Sequence, residues 1–437
     1  MKRLFITLCM SAGLLPALVW AAPVVSGPNP NAPSAGPTAP ESALSNRLRL
    51  GHEALARRDY PQARALFREA AAQVPASPLP HLGLAELARV TGDEAATRQA
   101  LSDALKVAPR DAKTLFAWGS WHSAKGEFDK AAEFWNASLS VDPAQPQTLV
   151  ELGGLALEVR KRPAEAAALF KRALAINPQL GGARYALGMT LWQLSKPDEA
   201  IAEFEEAARL SPKNPLPLHS LGRVHAQAGR AELAMVAFEK AIVAEPAYYP
   251  ARLSKADLLG AAGKFDLALV ETRGVLASQP KLPEAHQKAG MLLQSLGRVP
   301  EAMAAYQEAL KFDPNLAFAL NNLASLAVQR KDVPDHGLAW AQNAVALQPQ
   351  NPLFQGTLAW VLHKSGETAK ALAVIEPVVK GQGRKTPESH YVLGAIYADS
   401  GDKQRASAAL REALRLNPGF SGAADATQRL RKLQSPS

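Results

Sequence analysis

The chain has 437 residues, with 49 Lys and Arg against 40 Asp and Glu, a net charge of +9. Its one cysteine, Cys9, sits in the N-terminal segment, so the remainder excludes disulfides and thiolate chemistry. The basic excess is dispersed along the chain, with short runs such as Arg160-Lys161-Arg162 falling where turns are predicted, and nothing in it marks a nucleic-acid face.

Residues 1–21 are predicted to be a secretory signal peptide. Lys2 and Arg3 precede an apolar run from Leu4 to Trp20, broken by Ser11, Gly13 and Pro16, and small residues allow cleavage after Ala21. The run is too short and too broken for an ordinary membrane span. Leu8 precedes Cys9 where a lipid-anchor signal wants a small residue, so no lipid anchor is expected. The predicted location is the periplasm; the alternative is an inner-membrane tether formed by an uncleaved signal. Residues 22–43 (APVVSGPNPNAPSAGPTAPESA) bury too little apolar surface to fold and are expected to form a flexible linker.

From 44 to 420 the chain keeps a beat. Proline recurs at Pro75, Pro109, Pro143, Pro178, Pro212, Pro246, Pro280, Pro314, Pro349 and Pro418, at spacings of 34 or 35 with one beat missed at Gly383. Small residues keep the same time: Gly51, Ala85, Gly119, Gly153, Gly188 and their successors, then Ala63, Ala131, Ala166 and Ala200, then Ala70, Ala104 and Ala173. A period of this length marks stacked supersecondary units, none of which buries its apolar face alone. In residues 181–212, Tyr185, Leu187, Met189, Leu191 and Leu194 include helical spacings of three and four, and Ile201, Phe204, Ala207, Ala208 and Leu210 make a second stripe. Ser195-Lys196-Pro197 divides them; most other units break at a glycine, which closes a helix in the left-handed conformation. The beat proline stops the second helix. Residues 421–437 carry an apolar stripe, Ala423, Ala426, Leu430 and Leu433, on a charged helix that is predicted to cap the array.

These columns resemble the tetratricopeptide repeat (TPR) family: small residues at unit positions eight, twenty and twenty-seven, an aromatic at twenty-four (Phe67, Trp135, Phe170, Phe204, Phe238, Tyr306) and proline at thirty-two. Eleven units fit. The resemblance implies an all-α fold, a right-handed solenoid of helix-turn-helix repeats. There are departures. Units four and nine carry an extra residue near the hairpin (Arg160–Pro163, Arg330–Pro334), and unit seven has Thr272 and Val275 at the aromatic and alanine positions. Unit ten ends in Gly381-Gln-Gly383-Arg-Lys-Thr without its proline, so a looser joint is expected between units ten and eleven.

Catalytic motifs are absent. Gly260-Ala-Ala-Gly263-Lys264 has the wrong spacing for a phosphate loop and is explained by the repeat, and the nine histidines form no HExxH. No catalytic residue, cofactor or metal site is predicted, and the chain is read as a non-enzyme. The resemblance implies instead that the first helix of each unit lines a concave face, with positions two, five, nine and twelve turned into it. Carried onto this chain, these give Tyr185, Met189, Trp192, His219, Arg223, Met291, Asn321, Trp360 and His363 as candidate partner-binding residues. Neither a Lys/Asn clamp for peptide C-termini nor an asparagine ladder is present. The expected function is a protein-interaction scaffold in a bacterial cell envelope, serving export, secretion or the assembly of polysaccharide or pili. Its partners would be protein or peptide segments. The alternatives are direct binding of an anionic polysaccharide, and a regulatory subunit of an enzyme on another chain.

Overall fold

The computed structural model describes residues 39–329 and 334–434. The predicted signal peptide, most of the predicted linker and the insertion at Arg330 lie outside these residues. The described residues are all-α, with 23 helices and no strand among them. They group into two compact units, one ending at Ala228 and one beginning at Gly229. Each unit is a run of helical hairpins, with the first helix of a repeat called A and the second B below. The first unit opens with helix A of repeat one, Ala39–Ala56, which starts inside the stretch read as linker. Leu44 is buried there, and an apolar anchor so close to the boundary holds the preceding residues in the helix.

Repeat five shows how the sequence builds a hairpin. Helix A, Gly181–Gln193, ends in a Schellman closure: Lys196 N–H donates to Leu191 O (2.9 Å) and Ser195 N–H to Trp192 O (3.0 Å). The residue between must be left-handed. Glycine does this at Gly92, Gly126, Gly229, Gly263, Gly297, Gly366 and Gly401, with φ from 72 to 85°. In repeats one, four and five the same place is held by Arg58, Lys161 and Ser195, at φ of 62, 55 and 59°, against the steric preference of L-residues. Helix B, Pro197–Leu210, begins with proline, whose missing N–H costs nothing at that position, and with Asp198 and Glu199 at the positive end of the helix dipole. It ends just before Pro212. In some of the other helices an Asp or Asn caps the start, as Asp93 does by accepting from Ala96 N–H at 2.9 Å.

The small-residue column has a specific cause. The aromatic of helix B lies flat on position eight of helix A in its own repeat. A Cβ on Gly51 would stand 2.5 Å from Phe67, on Gly119 2.4 Å from Trp135, on Gly153 2.6 Å from Phe170, on Gly188 2.7 Å from Phe204 and on Gly290 2.7 Å from Tyr306. Real carbon contacts are about 3.5–4.0 Å. Where position twenty-four is not aromatic, position eight is alanine in four repeats: Ala85 with Leu101, Ala256 with Thr272, Ala324 with Ala341 and Ala359 with Ile375. Repeat eleven differs: Gly394 faces Leu410, whose Cγ would lie 2.7 Å from an added Cβ. In five of these repeats the glycine therefore makes room for a ring, and in repeat eleven for Leu410. Phe67, Trp135, Phe170, Phe204 and Tyr306 are each at most 1% exposed. Burying such a side chain contributes about 1.5–3 kcal/mol.

The second unit contains the joint between repeats ten and eleven, where the structure corrects the expectation of looseness. Helix B of repeat ten, Thr368–Lys380, runs into a hydrogen-bonded turn: Gly383 N–H donates to Val378 O (2.8 Å) and Thr386 N–H to Gly383 O (2.9 Å). A Cβ at Gly383 would stand 2.6 Å from Val378 Cγ1, so glycine replaces proline because the turn folds back onto the helix. One core then runs through Leu362, Ile375, Val378, Leu393, Ile396 and Tyr397. The last helix, Ala423–Gln434, covers Leu410, Ala413 and Phe420 with Ala426, Leu430 and Leu433.

Candidate functional site

In the first unit, helix A of repeat five and helix A of repeat six (Pro215–Gln227) pack side by side, which brings five of the candidate residues together. Tyr185, Met189 and Trp192 lie on one helix and His219 and Arg223 on the next. Ser220 is the pivot. Its hydroxyl lies 3.5 Å from Tyr185 Oη and 3.7 Å from Met189 Sδ. The Arg223 guanidinium lies over the Trp192 ring, 4.8 Å from its centroid. The Trp192 indole N–H donates to Gln227 Oε1 at 2.8 Å, which holds the ring in place. Tyr185 also leans on its own repeat, its ring 5.8 Å from that of Phe204.

The electrostatics of this cluster are one-sided. Burial, joined by the charge of Arg223, pushes the His219 imidazole down to about 4, so it is neutral near pH 7. Arg223 is exposed and forms no ion pair among the described residues, unlike Arg184, which meets Glu203 of helix B in its own repeat at 3.0 Å. A guanidinium backed by an indole and left without an anion is built to take one from outside. Ser220 and Gln227 were not among the candidates. They occupy positions six and thirteen, one residue beyond the inward-facing stripe, where side chains meet the preceding A helix.

The remaining candidates lie in the second unit and do not join one cluster. Met291 is about half exposed. The Asn321 amide lies 3.4 Å from Asn322 Oδ1, and Asn322 in turn donates to Tyr306 Oη at 3.0 Å. Asn321 Oδ1 is buried without a hydrogen-bond partner. Trp360 lies under the Lys364 ammonium, 4.5 Å from the ring centroid. His363 has both ring nitrogens engaged, Nδ1 with Thr368 Oγ1 at 3.0 Å and Nε2 with Asp399 Oδ2 at 3.2 Å. Asp399 also accepts from Lys364 at 2.9 Å and from Arg429 of the last helix at 2.6 Å. Burial would raise this carboxyl, but the hydrogen bonds from Lys364, Arg429 and His363 outweigh it and hold the pKa down to about 2. His363 thus braces repeats ten and eleven and the terminal helix against one another.

Among the described residues there is no group of three or more His, Cys, Asp and Glu arranged to hold a metal ion, and no helix long and apolar enough to cross a membrane.

Solved structures similar to the chain include the hetero-tetramer Cut9-Hcn1 of the APC/C, at 15% identity and TM-score 0.48, covering 91% of this chain and 98% of that one. A tetratricopeptide repeat protein from Parabacteroides merdae matches at 19% identity and TM-score 0.46, over 58% of this chain and 99% of that one. PilF of Pseudomonas aeruginosa matches at 18% identity and TM-score 0.44, over 51% and 98%. No curated protein matches the sequence. Profiles described as tetratricopeptide repeat match residues 48–112, 116–180 and 184–250, then 283–316 and 387–420, and 352–377. With these matches spread over most of the helical hairpins, the chain belongs to the tetratricopeptide repeat family.

Proposed function

We propose that this protein is an exported adaptor of the bacterial cell envelope that holds a peptide segment of an assembly or secretion partner on the A helices of repeats five and six. A tetratricopeptide fold is a scaffold for protein–protein interaction, and its members are typically not enzymes. The observation that carries the finer reading is the cluster of Tyr185, Met189, Trp192, His219 and Arg223. Aromatic, Met and Arg side chains on an accessible face are the types that anchor protein partners. The free Arg223 on Trp192 selects a segment with an acidic side chain beside an apolar one. The N-terminal apolar run from Leu4 to Trp20 supports export.

A photo-crosslinking residue at Met189, in the protein expressed in its own host, tests the site. The expected result is one or a few discrete protein adducts that disappear in Arg223→Glu and in the triple variant Tyr185→Ala, Met189→Ala, Trp192→Ala, with helix content unchanged. Adducts that persist in both variants, or none at all, refute it. An acidic polysaccharide that competes the adducts away would favour the glycan reading. Cell fractionation with N-terminal sequencing tests export: the processed chain should start near Ala22 and lie outside the cytoplasm, and an intact cytosolic N-terminus refutes that part.

A further inference from the structure

The outer face of two neighbouring B helices in the second unit departs from the rest of the chain. On helix B of repeat six (Ala231–Ala244), Leu233, Val236 and Val243 are 51%, 48% and 80% exposed. On helix B of repeat seven (Phe265–Ser278), Leu267 and Val270 are 56% and 65% exposed. Leu233 and Leu267 occupy the same repeat position, and so do Val236 and Val270. In six other repeats the first of these positions carries charge (Lys130, Glu165, Glu199, Glu301, Lys370 and Arg405), in the remaining three it is Gln62, Ala96 or His336, and the second carries only Ala, Gln or Glu. The two helices flank helix A of repeat seven (Tyr249–Ala261), whose Lys255 ammonium is 3.0 Å from both Glu239 on one and Glu271 on the other. Single exposed apolar residues need no explanation, but five large ones on one face, where the other repeats carry mostly charged or small residues, mark an interaction surface.

The charges around the patch identify what covers it. Glu239 and Glu271 are already paired, both with Lys255 and Glu271 also with Arg252 at 3.2 Å. Glu232, at the start of helix B of repeat six, and Lys240, about 12 Å further along the axis, are exposed and form no ion pair among the described residues. The acidic Asp266 starts the neighbouring helix, and Arg273 further along it is already paired with Glu301 at 3.7 Å, so the unpaired charges of the patch are those of helix B of repeat six. A copy of the same face laid on in the same direction would set Glu232 against Glu232. Turned round by a two-fold axis, it sets each Glu232 against the Lys240 of the other copy while Val236 and Val270 meet apolar partners. The patch is complementary to itself in one orientation, which is the property of an isologous dimer contact. We infer that a second copy of this chain docks there, pairing the B helices of repeats six and seven antiparallel through Leu233, Val236, Leu267 and Val270. This surface is independent of the A-helix cluster of the first unit.

The test is the molar mass of the protein, purified as its host makes it, by light scattering between about 1 and 100 µM, together with sedimentation equilibrium. The expected result is a concentration-dependent rise from the monomer mass towards twice that value. Val236→Glu with Val270→Glu should weaken the association at least about tenfold, since a carboxylate in each apolar contact costs more than the 1.4 kcal/mol that a factor of ten represents. Circular dichroism should show unchanged helix content, because both sites are exposed. Glu232→Lys and Lys240→Glu should each weaken the dimer, and the two together should restore it. A monomer throughout the range, a dimer indifferent to the valine changes, or charge variants that fail to rescue one another would each overturn the inference. So would a monomer whose patch binds phosphatidylethanolamine–phosphatidylglycerol vesicles in flotation and loses that binding in the valine variant.

Discussion

Replacing Gly188 by alanine tests the packing rule that organises every repeat with an aromatic at position twenty-four. The new Cβ would stand 2.7 Å from Phe204 Cε1, 2.8 Å from Cδ1 and 3.2 Å from Cζ. Ordinary contact is about 3.5 Å, so the ring must move by nearly an ångström. Phe204 is 0% exposed and has nowhere to go without shifting a helix. Overpacking of this kind costs about 1–3 kcal/mol, with three close contacts placing it in the upper part of that range. Alanine in a helix gains about 1 kcal/mol over glycine, which leaves a net loss of about 1–2 kcal/mol. Phe204→Leu removes the clash at the cost of some buried surface, and together the two changes recreate the pairing of Ala85 and Leu101 in repeat two. The double variant should therefore be more stable than the sum of the singles by about 1 kcal/mol or more. Repeat arrays do not unfold as one unit, so hydrogen exchange over the helices of repeat five is the suitable assay, with urea unfolding beside it. Additivity within about 0.5 kcal/mol would refute the claim that the ring dictates the glycine.

Ser195→Gly relieves a left-handed residue, with φ of 59°, and should stabilise by about 0.5–1 kcal/mol, seen as a higher urea midpoint at constant slope. Asp399→Asn removes the anion shared by His363, Lys364 and Arg429 and should cost about 1–2 kcal/mol, with faster exchange confined to repeats ten and eleven and the last helix. Since Asp399 is held near 2 in the folded chain, its contribution is present above pH 4 and fades as pH falls towards 2. Burial raises the Glu151 carboxyl from 4.5 to about 7, so its contribution to stability is full below pH 4.5 and lost as pH rises through 7. Glu151→Gln should therefore stabilise the first unit at pH 8 and change little at pH 4. His219 runs the other way: with its folded pKa lowered from 6.5 to about 4, stability falls as pH drops from 6.5 to 4, and His219→Gln should flatten that slope.

The repeat was legible because its signals are local. A left-handed glycine and a proline each act on one or two backbone dihedrals, so their spacing places helix ends directly. The hairpins broken by Arg58, Lys161 and Ser195 were harder to read, since these residues do not favour the conformation they adopt and are held in it by the packing of the helices they join. The looseness expected at Gly383 failed for a related reason: a missing proline says only that one stop signal is gone, whereas the turn that replaces it depends on Val378 lying behind the glycine.

The candidate site divides in the same way. Helical periodicity and the family resemblance put Tyr185, Met189, Trp192, His219 and Arg223 on the faces that meet, because spacing within one helix is set by its geometry. The fate of the individual side chains was decided by the neighbouring helix. His363 holds an equivalent place to Trp192 in the repeat by sequence position, yet Asp399 one repeat further on draws it into an ion network, while Arg223 has no such anion and stays open. By itself the sequence determined the helices, their pairing into hairpins and the alternation of ring and glycine, since all of these depend on residues fewer than thirty-five apart. The tertiary structure alone decided which polar and apolar groups are already satisfied by a neighbour and which still face outwards, because that depends on contacts between repeats that no single period encodes.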